Sequence, residues 1–136
     1  MNERRPSPEQ RRAADALEAL DEIQKKSENV RKRYRSYVER LGPAILTNGL
    51  GQALATERAA AGNGKNDDEL AHKLLYDNVS RWLCRSEGVY ANARDLLEAI
   101  INGTQEQYLR AQVEALRWID WHKKFCQAYL PRPDES

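Results

Sequence analysis

A chain of 136 residues is long enough for one domain with an ordinary core. Its 40% hydrophobic and 32% charged residues, with only 7 Gly and 5 Pro, suit helices rather than disorder. With 22 Lys and Arg against 21 Asp and Glu, the formal charge of +1 excludes polyanion binding by bulk charge and leaves any such role to local clusters.

Ser7-Pro8-Glu9-Gln10 places a hydroxyl at an N-cap, Pro at the first helical position and Gln three residues after the cap, so a helix is predicted from Pro8. Ala13, Ala16, Leu20, Ile23, Ser27, Val30, Tyr34, Tyr37 and Leu41 recur at steps of three and four, one stripe kept up to Gly42-Pro43. Unbroken, that helix would measure about 50 Å at 1.5 Å per residue, so part of it is expected to overhang, kink or lean on a partner. Pro43 is read as the first residue of a second helix carrying Ile45, Leu46, Leu50, Ala53 and Leu54. Gly49 and Gly51 weaken that helix and point to close backbone approach by a neighbouring helix or a ligand.

After the loop Ala61-Gly62-Asn63-Gly64-Lys65, Asn66 and Glu69 form a capping pair. Leu70, Leu74, Leu75, Val79, Trp82 and Leu83 then supply the buried face of a third helix ending near Gly88. Asn92 with Asp95 opens a shorter helix with Leu96, Leu97, Ile100 and Ile101, and Asn102-Gly103 reads as a left-handed stop. Thr104 with Gln107 caps a last helix through Tyr108, Ala111, Ala115, Ile119, His122, Phe125 and Tyr129, which Pro131 ends. No two-residue alternation is sustained, so the expected fold is all-α: a compact bundle of five or six helices with a long N-terminal helix. One domain over residues 1–136 is expected, with residues 1–7 and 131–136 as flexible tails.

No apolar run approaches the roughly 20 residues needed to cross a bilayer, and no apolar segment follows Met1. Cys84 and Cys126 fit reduced thiols better than a disulfide framework, and a cytoplasmic location without membrane contact is expected.

Parts for catalysis are thin. His122 and Cys126 lie four apart and would offer two zinc ligands if His72 and Cys84 converged on them, but a packed core face is the better reading. Glu57, Asp77, Glu87, Asp95, Glu98, Glu106 and Glu114 fit caps and solvated helix faces better than a catalytic dyad. No catalytic residue, metal, cofactor or small-molecule substrate is expected. Trp82, Trp118 and Trp121 invite base stacking, although core packing outweighs it. From Ile23 to Gly42, seven basic residues (Lys25, Lys26, Arg31, Lys32, Arg33, Arg35, Arg40) face two acidic ones. With Lys123-Lys124 they are the features suited to phosphate contact, against the alternative of a soluble surface.

Three stretches carry more than composition. They are Tyr34-Arg35-Ser36-Tyr37 with the run Gly42 to Ala55 around Asn48-Gly49-Leu50; Leu75 to Leu83; and Asp95 to Ile100 followed by Tyr108, Glu114-Ala115-Leu116 and Trp121-His122-Lys123-Lys124-Phe125. In order and spacing, from Tyr34 to Tyr129, they resemble the small subunit of the type III-B CRISPR-Cas (Cmr) RNA-targeting effector complex. The resemblance implies a non-catalytic helical subunit that stacks with copies of itself and with other subunits of the complex. Together they would form an inner filament along guide RNA and single-stranded target RNA in antiviral defence. It implies RNA contact through Lys123, Lys124 and Arg117, next Arg81 and Arg85, then Arg31, Lys32 and Arg35; the glycine-marked face at Asn48, Gly49 and Leu50 is read separately as a protein interface. His122 and Cys126 depart from the family pattern, which has an aliphatic or basic residue and an alanine there. The alternative is a helical scaffold subunit that touches only protein.

Overall fold

The structure is a computed structural model and describes residues 5–133. The expected tails at residues 1–7 and 131–136 therefore lie partly outside the described residues. Seven α-helical segments follow in order: α1 (Pro8–Glu18), α2 (Leu20–Gln24), α3 (Glu28–Asn48), α4 (Leu50–Ala61), α5 (Asp67–Cys84), α6 (Leu96–Asn102) and α7 (Gln105–Tyr129). No strand occurs among the described residues. Ala19, between α1 and α2, keeps right-handed helical angles (φ −58°, ψ −23°), so those two form one interrupted run and the chain an all-α fold of six helical units.

The long N-terminal stripe is real, but the helix beneath it breaks. Ala16, Leu20, Ile23, Val30, Tyr34, Tyr37 and Leu41 are all buried. Ser27, which the three-four spacing places on the stripe, leaves the helical region (φ −61°, ψ 159°), and its side chain accepts the Val30 N–H at 3.2 Å. A serine that can cap competes with its own place inside a helix. The cap wins, α3 starts afresh at Glu28, and α1 is free to lie along α7.

Pro43 does not open a helix. It sits exposed inside α3, which runs five residues past it to Asn48. The break falls instead at Gly49, whose φ of +89° favours glycine. The N-terminus of α4 has no capping side chain of its own. Its orphan donors are taken up by α7: the Leu50 N–H donates to Gln112 Oε1 and the Gly51 N–H to Tyr108 Oη, each at 3.0 Å. The close approach signalled by the two glycines is thus to a neighbouring helix.

Helix α5 ends at Cys84 rather than near Gly88, because the chain folds back over its end. The Tyr90 and Asn92 N–H groups donate to the carbonyls of Leu83 and Cys84 at 3.0 and 2.8 Å, with Asn92 in the left-handed region (φ +62°). Asn92 is therefore part of this turn, and Asp95 alone caps α6 through the Glu98 N–H at 3.0 Å. Gly103 is extended (φ −88°, ψ −174°), so α6 stops without the left-handed residue expected there. Thr104 and Gln107 form the full reciprocal cap of α7.

One buried cluster joins every helix, with α3 at its centre packed against α4, α5 and α7. The N-terminal run is pinned to α5 and α7 by polar bonds. Arg12, only 8% exposed, donates through Nε and Nη2 to Glu114 at 2.7 and 3.0 Å. Asp15 accepts from Trp118 Nε1 at 2.9 Å and from Arg81 at 2.5 Å.

Candidate nucleic-acid interface

Most of the basic residues singled out by sequence fall into two groups; Lys25 and Lys26, between α2 and α3, stand outside both, Lys25 paired with Glu22 at 3.1 Å and Lys26 without a side-chain hydrogen bond or ion pair among the described residues. Those on α3 and at the end of α5 are engaged within the chain. Arg31 donates to the Lys26 carbonyl at 3.2 Å, and Lys32 pairs with Glu28 at 3.0 Å. Arg35 reaches across to α7, donating to the carbonyls of Gln127 and Leu130 at 3.4 and 3.2 Å as well as pairing with Glu39. A helix ends on carbonyls without partners, and a guanidinium placed there satisfies them and the negative end of the dipole.

Arg81 is held by Asp15 and Asn78 and lines, with Lys25, a groove that also carries Asp15, Glu18, Asp21 and Glu22. The Arg85 guanidinium lies 3.4 Å over the Trp82 ring and donates to the Trp82 carbonyl at 2.6 Å. Burial lowers its pKa, partly offset by Glu114 and other carboxylates.

Arg117, Lys123 and Lys124 are different. All three stand on α7; Arg117 and Lys124 are exposed, Lys123 is half-buried, and none makes an ion pair or hydrogen bond among the described residues. Arg117 and Lys124 line a groove of about 440 Å³ with Glu9, Asp120 and Trp121. Trp121, half-buried, donates through Nε1 to Glu9 Oε2 at 3.2 Å and stacks on Phe125 with ring centres 5.8 Å apart. Glu9 also pairs with Arg12 at 3.0 Å, so part of its charge is met inside the fold. Trp82 and Trp118 are buried, with their indole N–H groups bonded to Glu114 and Asp15.

Glu9 and Asp120 were not singled out by sequence. Glu9 read only as part of a cap, and nothing in the spacing shows that the first turn of α1 would lie 112 residues away against Trp121. Asp120, between Ile119 and Trp121, carried no signal beyond an acidic residue on a helix.

Of the expected interface residues, Leu50 is fully buried and belongs to the core, held there by the α7 contacts that cap α4. Asn48 is exposed and Gly49 half-buried at the α3–α4 corner. Leu46, 73% exposed, stands in the last turn of α3 beside them.

The two histidines are taken by separate networks. His122 is fully buried in the middle of α7, and its Nδ1 lies 2.8 Å from the carbonyl of Ala16, in the last turn of α1. A carbonyl only accepts, so the proton is on Nδ1, and Nε2 accepts from the Tyr34 hydroxyl at 2.6 Å. Tyr34 Oη in turn accepts from Asn78 Nδ2 at 2.9 Å. Burial lowers the imidazole pKa to about 4, against the opposing bond to Ala16.

His72 pairs through Nδ1 with Glu57 at 2.7 Å and stacks on Tyr37 at 3.8 Å. The Tyr37 hydroxyl donates to Asp68. Burial raises the Cys126 thiol far above its ordinary range. No group of three or more His, Cys, Asp or Glu is gathered as metal ligands among the described residues, and His72 and Cys84 do not converge on His122 and Cys126. No helix among the described residues is long and apolar enough to cross a membrane.

Comparison with known proteins agrees with the motif pattern. A family model described as CRISPR-associated protein (Cas_Cmr5) matches residues 8–129. The CRISPR system Cmr subunit Cmr5 of Thermus thermophilus is 33% identical over 100 residues, covering 74% of this chain and 77% of that protein. The match spans α1 through α7, the whole helical arrangement described above, and the chain belongs to the Cas_Cmr5 family, the small subunits of type III-B CRISPR-Cas (Cmr) complexes.

Proposed function

We propose that this chain is a non-catalytic subunit of a type III-B effector complex in the cytoplasm. In this reading it assembles with the other Cmr subunits and with copies of itself, and it lines the path of guide RNA and single-stranded target RNA. The observation that carries the RNA contact is the group Arg117, Lys123 and Lys124 on α7, which, like Arg110 on the same helix, make no hydrogen bond or ion pair among the described residues. Side chains that hold a fold together are paired, as Arg12, Arg35 and Arg81 are; cations left over on one helix are available to phosphates. Exposed Asn48 and Leu46 at the α3–α4 corner are the surface proposed to meet a protein neighbour.

The contact is to backbone and reads no sequence. Roughly three to five phosphate contacts give a steep salt dependence. The test is a reconstituted complex with K123E/K124E, titrated with target RNA across a salt series. Weaker binding and a shallower salt slope are expected at unchanged subunit incorporation. Unchanged binding and slope would remove the channel role and favour a scaffold that touches only protein.

A further inference from the structure

The outer face of α7 carries an aromatic ring among charges that the fold leaves unused. Trp121 is oriented from two sides, by the Glu9 carboxylate on Nε1 and by the Phe125 ring, whose plane lies 26° from its own. A ring fixed before a ligand arrives loses little freedom on binding. Arg117, Asp120 and Lys124 line the same groove and make no ion pair or hydrogen bond among the described residues. At about 440 Å³ the groove is of a size that holds a small organic group.

We propose that this groove is a subsite for one unstacked nucleotide of single-stranded RNA. Its base would lie on the Trp121 indole, its phosphate between Arg117 and Lys124, and N–H donors of the base edge would meet Asp120. The proposal rests on the channel reading above and adds a base contact to it.

Asp120 and the ring together argue for a nucleotide over a bare anion. A carboxylate repels phosphate alone, and an indole gives it no contact, whereas a base brings both a π face and N–H groups to donate. Base faces are open only in single strands, so a duplex does not fit.

Fluorescence of the full chain at low salt tests this, because Trp82 and Trp118 are buried and Trp121 is the indole within reach of RNA. A short unstructured oligoribonucleotide is expected to quench the signal. W121L should weaken binding by roughly five- to a hundredfold. An abasic oligomer of equal length should bind wild type and W121L alike. Thermal melting checks that each variant folds. If W121L does not fold, W121F is read instead, and RNA-dependent quenching should then vanish.

Quenching that persists in W121F, or W121L binding that matches wild type while K123E/K124E binding falls, overturns the subsite and leaves the channel reading standing. If neither the Lys123–Lys124 pair nor Trp121 matters, both readings fall.

Discussion

The Arg12 and Glu114 pair shows how a residue on an amphipathic face becomes a fastening. Burial raises the Glu114 carboxyl, but hydrogen bonds from Arg12 and Trp82 outweigh it and hold the group below its ordinary range. Removing Glu114 leaves a guanidinium that is only 8% exposed and an indole N–H without its acceptor. E114A is therefore expected to cost about 3 kcal/mol, seen as a lower denaturation midpoint, with E114Q costing less.

His122 gives a pH-dependent prediction. Its folded pKa of about 4 lies below the ordinary 6.5, so on acidification the unfolded chain takes up a proton that the folded chain refuses. Its contribution is fully present above pH 6.5 and is lost as pH falls towards about 4, at about 1.4 kcal/mol per pH unit inside that window. H122F should flatten this part of the stability profile, measured by urea unfolding at a series of pH values. Spacing placed His122 on the buried face of the last helix. Its partners were illegible, since Tyr34 lies 88 residues away and Ala16 contributes only a carbonyl.

At the scale of elements, the helices could be read where a cap acts on its own neighbours. Ser7, Asn66 and Thr104 start helices as their sequences indicate, because donor and acceptor are three residues apart. The reading failed where distant groups decide. Pro43 reads as a boundary, yet α3 continues to Asn48 and breaks at Gly49, after which Tyr108 and Gln112 of α7 supply the cap that α4 lacks.

This separates the two glycines. A Cβ at Gly49 would meet Tyr108 Oη at 2.9 Å on a backbone with φ of +89°, so G49A should lose on the order of 1–3 kcal/mol. At Gly51 the nearest atom would be 3.6 Å away, an ordinary contact inside a helix, and G51A should be neutral or slightly stabilising. Thermal melts of the pair check the contrast. Ser27, misread as one more stripe position, should cost about 1 kcal/mol as S27A in the same assay.

Across the whole molecule, many cations are taken up by the fold, while others, among them Lys26, Arg94 and Arg110 as well as Arg117, Lys123 and Lys124, make no side-chain hydrogen bond or ion pair among the described residues. The basic run from Lys25 to Arg40 was legible as a cluster, but its role was not. Sequence shows how many cations stand together and not which carbonyls or carboxylates lie opposite. Arg35 faces the end of α7, and Arg33 pairs with Asp68 at 3.2 Å. R35A is accordingly expected to lower the melting temperature through loss of about 1 kcal/mol while leaving the salt slope of RNA binding unchanged, the opposite pattern to K123E/K124E.

The sealed imidazole at the centre of α7 has a kinetic consequence. Its Nδ1 proton points at the Ala16 carbonyl with no solvent route, so it can be replaced by deuterium only when α1 lifts away or the entire chain opens. One slowly exchanging resonance would therefore time the release of the N-terminal arm.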